Sequence, residues 1–281
     1  FLFPRKRKTP FHPQIFIQSL LAMFQTRTFT IIKYLGLFLG VVMAFTISQG
    51  WETSGEAPLL QAIHQRDLKT SLELLQAGTN VNMTTSEGAT PLHYAAESGQ
   101  YALTQLLLEH GATVQARYQQ DWTPLHFAAK RGHVDIADLL LQHGATINEP
   151  EERITPLHVA VQEHQVRMVA FLLRKGAQVN SSFKEGWTAL HLAAQTGDTD
   201  ITRLLLDAGA SIDAPNMIGL TPLHSAAFSG QLEVTNYLIT RGARCTLPNQ
   251  PFPGLSGKNL SALYTALQEL IQHCPHSLTT S

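Results

Sequence analysis

The sequence predicts an all-α solenoid of stacked helix–turn–helix units, and three recurrences predict it. One tetrapeptide returns at Thr90-Pro91-Leu92-His93, Thr123-Pro124-Leu125-His126, Thr155-Pro156-Leu157-His158, Thr188-Ala189-Leu190-His191 and Thr221-Pro222-Leu223-His224, at steps of 33, 32, 33 and 33 residues. A glycine-led pair returns in phase with it, starting at Gly78, Gly111, Gly144, Gly176, Gly209 and Gly242. A further glycine stands between the two marks in most units, at Gly99, Gly132, Gly197 and Gly230.

Each mark has a physical role. Thr90 suits a helix N-cap, and Pro91 suits the first helical position, where no amide donor is lost. Leu92, Ala95 and Ala96 follow at helical spacing and form one apolar stripe, whose small alanines let a neighbouring helix approach. Gly99 ends this first helix in a left-handed turn. A second helix carries Leu103, Leu106 and Leu107 on one face and closes at Gly111. About a dozen residues, including Val114 and turn-forming polar residues, then run to the next Thr. One such unit cannot bury its apolar stripe, and stacking solves that.

The unit spacing resembles the ankyrin repeat family, with its 33-residue period and Thr-Pro-Leu-His-x-Ala signature. The resemblance covers residues 54–245, which divide into six repeats. Ala57-Pro58-Leu59-Leu60 stands 33 residues before the first clear tetrapeptide and reads as a degenerate first repeat. What the resemblance implies is an ankyrin-repeat solenoid, all-α with β-hairpin loops, or fingers, between repeats. After Gly242 the phase slips: Pro248, Pro251, Pro253 and Gly254 make residues 246–281 a turn-rich insert followed by a capping helix over Leu260–Ile271. The fourth unit is one residue short in the loop from Asn148 to Arg153, so its finger is expected to be reshaped. It also has His164 where its neighbours have glycine, which predicts a non-glycine residue in a left-handed turn at a cost of about 1–2 kcal/mol.

Composition sets outer bounds. With 281 residues, 44% hydrophobic and 15% charged, the chain is not a disordered polyampholyte. Two cysteines exclude a disulfide-rich scaffold and a four-cysteine zinc site. Residues 1–50 hold six basic residues and no acidic one, whereas residues 51–281 hold 14 basic and 21 acidic ones. The acidic array argues against a nucleic-acid partner, which asks for a basic stripe.

The basic N-terminal segment reads as targeting. The first methionine is Met23, and residues 1–22 are expected to be an untranslated or removed extension. Residues 23–50 place Arg27 and Lys33 ahead of the uncharged apolar run Leu35–Ile47, with Ser48-Gln49-Gly50 supplying small residues at the −3 and −1 positions of a cleavage site before Trp51. That is the grammar of a secretory signal. A retained membrane anchor over 31–47 is the open alternative: 13 residues of helix span about 20 Å, short of the roughly 30 Å hydrocarbon core, and lengthening the run to Ile31 takes in Lys33. Export and membrane attachment therefore both stand as expectations.

Little points to chemistry. Five of the 13 histidines belong to the tetrapeptide, and the family resemblance implies that each links to the Thr hydroxyl and to neighbouring backbone. His110 and His143 end second helices, where they suit the C-terminal dipole. His273 and His276 flank Cys274, and a metal site there would need one or two more ligands brought in by folding. Cys245 aligns with Ile212 and Val179 and reads as a buried thiol, with a Cys245–Cys274 disulfide open if the domain is exported. No nucleophile motif, phosphate loop or dinucleotide fingerprint is present. The expectation is a chain without cofactor, metal or catalytic residues: a non-enzymatic scaffold for a partner protein.

The binding expectation rests on rows of equivalent residues. The residues before each Thr are Ala89, Trp122, Ile154, Trp187 and Leu220; those ahead of the inter-helix turn include Lys130, Arg131 and Phe228; the finger tips add Tyr118, Phe183 and Met217. The family resemblance points to these three rows as the partner face. Trp, Tyr, Phe, Met and Arg are enriched at interfaces. The partner-binding set is thus Tyr118, Trp122, Lys130, Arg131, Phe183, Trp187, Met217 and Phe228. An inhibitor or immunity-like regulator of an enzyme would use the same face.

Overall fold

Local capping decides where each helix begins. The computed structural model describes residues 57–119, 121–150 and 153–245. Twelve helices appear among them, two per unit: α1 Pro58–His64 and α2 Leu68–Gln76, α3 Pro91–Ser98 and α4 Tyr101–Glu109, α5 Pro124–Arg131 and α6 Val134–Gln142, α7 Pro156–Gln162 and α8 Val166–Arg174, α9 Ala189–Thr196 and α10 Thr199–Asp207, α11 Pro222–Phe228 and α12 Leu232–Thr240. Thr90, Thr123, Thr155, Thr188 and Thr221 each form a capping box with the His three residues on. The all-α solenoid is therefore present, and the first helices stack on one another, as do the second helices.

The core follows the leucine rows. Leu92, Leu125, Leu157, Leu190 and Leu223 are essentially inaccessible, facing second-helix residues such as Leu107, Ile136, Leu140, Met168 and Leu172. The invariant alanines pack between them; Ala95, Ala128, Ala160, Ala193 and Ala226 have no exposed surface. A larger side chain there would wedge the stacked helices apart.

Two turns test the backbone expectations. Gly99 sits at φ 74, and a Cβ there would come within 2.7 Å of the His133 ring, so both conformation and space select glycine. His164 sits at φ 55, the left-handed turn expected of it. Arg66 holds the matching place in the first unit at φ 57, a second non-glycine turn that the degenerate tetrapeptide hid.

The loops vary more than the helices. The fifth finger is a true hairpin, β1 Ser182–Phe183 against β2 Trp187–Thr188. The third shrinks to one bridge between Tyr118 and Trp122. The shortened fourth loop has no strand among the described residues. Cys245 is half-buried, like Val179 and Ile212 at its aligned positions. It is disulfide-bonded rather than the buried thiol expected. The chain's other cysteine, Cys274, lies outside the described residues, as do the targeting segment 1–50, His273, His276 and the capping helix expected over 260–271.

Candidate functional site: the tryptophan face

The expected partner residues sit on the first helices and the fingers, and most of them are already held by neighbours. Trp122 is half-buried, edge-on to Phe127 with ring centroids 5.4 Å apart and 5.9 Å from the His126 ring. The Lys130 ammonium lies 5.8 Å from its centroid, a cation–π contact one helix turn beyond Phe127. Trp187, two units away, is also half-buried; it pairs with Phe183 across the hairpin and meets the His191 ring edge-on at 5.7 Å. Phe183 in turn lies 4.8 Å from the His158 ring. Each indole is thus fixed by its own unit and keeps an accessible part.

The finger-tip placement expected of Tyr118 is not what forms. Its ring is 7% exposed, packed 5.7 Å from Phe127, while its hydroxyl donates to Glu87 at 2.8 Å. The two backbone bonds to Trp122 turn the side chain inward, onto the aromatic cluster. Burial, helped by the Glu87 carboxylate, pushes its phenol well above the usual range. Tyr118 and Trp122 thus share the Phe127 ring as their packing partner. Arg131 is spoken for as well, donating to Glu97 at 2.8 Å. Phe228 is half-buried at the end of α11.

Met217 is the opposite case, 67% exposed. Its backbone amide donates to the Glu185 carbonyl at 2.8 Å, locking the sixth finger to the fifth. Gly186 makes this approach feasible: it sits at φ 81, and a Cβ there would stand 3.1 Å from the Met217 amide. Sequence reading missed Phe127, and it missed that Glu97 pairs with Arg131. Phe127 occupies a position that holds Tyr94, Val159, Leu192 and Ser225 in other units, so recurrence gave no signal for an aromatic support.

Beneath this face runs a ladder of buried histidines. In each of His93, His126, His158 and His191 the Nδ1 accepts from the backbone amide of the capping Thr, at 3.1–3.3 Å. The Nε2–H therefore points outward and donates to a carbonyl of the next unit, at Trp122, Ile154, Ser181 and Leu220 respectively. Burial pushes His93, His126 and His158 down to about 4, and His191 down as well. These imidazoles are neutral structural pins with no lone pair left for a metal.

Comparison with known proteins agrees with this architecture. A family model described as ankyrin repeats matches in three copies, over residues 22–118, 113–183 and 179–249. No curated protein matches. Among solved structures, the human ASB11 ankyrin repeat domain is similar at 28% identity and a TM-score of 0.65, covering 75% of this chain and 98% of that one.

Proposed function

The chain belongs to the ankyrin repeat family, and we propose that it is a non-enzymatic scaffold capturing a partner protein on the Trp122–Trp187 face. Ankyrin repeats are generally protein–protein interaction modules, and the family is generally non-enzymatic. The observation that carries the finer reading is the pair of half-exposed indoles at one register, two units apart, each preorganised by aromatic and hairpin contacts. Two steps of helix packing set them about 20 Å apart, within one standard patch. A ring already fixed loses little entropy on binding, which is what makes an anchor effective. Lys130, Phe183, Met217 and Phe228 rim the patch; Tyr118 and Arg131 contribute through the groups they brace.

The test is partner capture from the native source, followed by Trp122→Ala and Trp187→Ala. Each is expected to weaken capture of the same partner at least about tenfold, with the melt nearly intact. Unchanged capture, or loss of folding in both variants, sinks the proposal. A change in the captured partner's own activity would mark the inhibitor or immunity-like form of the reading.

Export through residues 23–50 is the accompanying proposal, with a retained anchor over 31–47 as its rival. Besides the segment's pattern, the sulfur bond at Cys245 supports export, because disulfides persist in oxidising compartments. Intact mass and N-terminal sequence of the native protein separate the two: a start near Trp51 means cleavage, and a start at Met23 means retention.

A further inference from the structure

The second helices form a face of their own, away from the tryptophans. Between α6, α8 and α10 lies a groove of about 580 Å³. Its floor and walls are largely apolar, from Val134, Ala170, Leu173 and Leu204; Arg167 and Arg174 also line it, as does Asp207, whose carboxylate is held by Arg241.

The charges around this groove are mostly used up within the array. Asp138 takes Lys175 at 2.6 Å, Asp207 takes Arg241 at 3.0 Å, and Asp200 faces Arg203 at 3.9 Å. Arg167 and Arg174 are exposed and, among the described residues, have no hydrogen bond or ion pair. That is unexpected in residues 51–281, where acids outnumber bases 21 to 14. Two free guanidinium forks beside an apolar floor call for carboxylates carried on an apolar body.

The spacing says what kind of body. Arg167 and Arg174 are seven residues apart on one helix, so they lie on one face about 10.5 Å apart along the axis. A helix laid alongside presents its own residues i and i+7 at that same interval. A single phosphate or lipid headgroup would instead draw both cations to one point. The groove also runs between second helices that pack on one another, a surface whose ridges and grooves admit a further helix.

We infer that the groove between α6, α8 and α10 docks an acidic amphipathic helix of a partner protein. Two carboxylates seven residues apart pair with Arg167 and Arg174, and the apolar residues between them rest on Ala170, Leu173 and Leu204. The site is separate from the tryptophan face and does not depend on it.

The experiment uses the full chain and a labelled helical peptide of about 20 residues. It carries Glu at positions i and i+7 and Leu at i+3 and i+4, and its control carries Gln in place of Glu. Fluorescence anisotropy is expected to show the Glu peptide bound at least about tenfold more tightly than the Gln peptide. The double variant Arg167→Gln, Arg174→Gln is expected to lose the same factor with an unchanged melt. Trp122→Ala is expected to leave peptide binding untouched. Equal affinity for the two peptides, full binding by the double variant, or no binding at millimolar peptide overturns the inference. So does arginine-dependent capture of phosphatidylglycerol vesicles in place of the peptide. Because the arginines are exposed, a folding failure is unexpected; should one occur, Leu173→Asp is the second variant, expected to abolish peptide binding, and unchanged binding there also overturns the inference.

Discussion

Each unit reaches the next through two seams that differ in depth. The inner seam uses the imidazole of the Thr-x-x-His motif. The outer seam uses the third residue after the glycine-led pair: Asn82 donates to the Gly111 carbonyl at 3.1 Å and accepts from the Thr113 amide at 2.7 Å, and Asn148 and Asn180 repeat this with Gly176 and Gln178, and with Gly209 and Ser211. The inner seam has the same residue in five units and is buried. The outer seam runs at half-buried to exposed positions and varies, with Gln115 and Asp213 taking the place of Asn. An unmade bond costs more where water cannot replace it, so depth sets how much variation each seam tolerates.

Acid should break the inner seam first, and by the largest amount. Folded imidazoles titrate near 4 while unfolded ones titrate near 6.5, so between these values the unfolded chain binds more protons. The stability these histidines contribute is full above pH 6.5 and is lost as pH falls toward 4. Each contributes a slope of up to about 1.4 kcal/mol per pH unit, so three together give about 4 kcal/mol per unit in mid-window. Denaturant midpoints measured from pH 7.5 to 4.5 should hold steady down to about 6.5 and then fall steeply. A flat profile across that window would show that the seam is not held by neutral histidines.

Single substitutions should separate the seams by depth. His126→Leu keeps the volume but strands the Thr123 amide and the Ile154 carbonyl in the core, and is expected to cost about 3 kcal/mol. It should also flatten the acid profile. Asn148→Ala opens its partners to water and is expected to cost about 1 kcal/mol. Equal losses in urea melts would remove the distinction drawn between the seams.

Gln115 offers a gain. Its extra methylene carries the amide past the geometry Asn achieves: Nε2 reaches Gly144 at 3.4 Å and also bonds Thr146, while Oε1 is buried without a partner among the described residues. Gln115→Asn is expected to restore both bonds and raise stability by about 0.5–1 kcal/mol. A loss in the same melt would mean that the loop has adapted to Gln.

How much of this was legible in the sequence follows from which features are local. Caps, first-helix stripes and glycine turns depend on residues a few places apart, so the 33-residue period and its chemistry located them. The outer seam was legible in principle, since Asn82, Asn148 and Asn180 keep step with the glycine pair, but as polar loop residues they read as turn formers. Tyr118 was misplaced at an exposed tip because a bridge of two backbone bonds, not its own residue type, turns it inward. The free state of Arg167 and Arg174 was beyond reach: it depends on where Asp138 and Asp207 send their carboxylates, which only the packed second helices decide.

The smallest expected effect concerns a link outside both seams. At the inter-helix turn of the fourth unit, His164 Nδ1 lies 3.2 Å from the Asp198 carboxylate of the fifth. Replacing it with glycine relieves a left-handed non-glycine backbone, about 1 kcal/mol, and frees the unfolded chain by a few tenths in the other direction. The pair itself is half in water, with the His164 side chain 54% exposed, and contributes at most about 0.5 kcal/mol. His164→Gly should therefore raise stability slightly, by about 0.3 kcal/mol in urea melts. A loss in the same melts would mean that the contact across the units outweighs the strain of the turn.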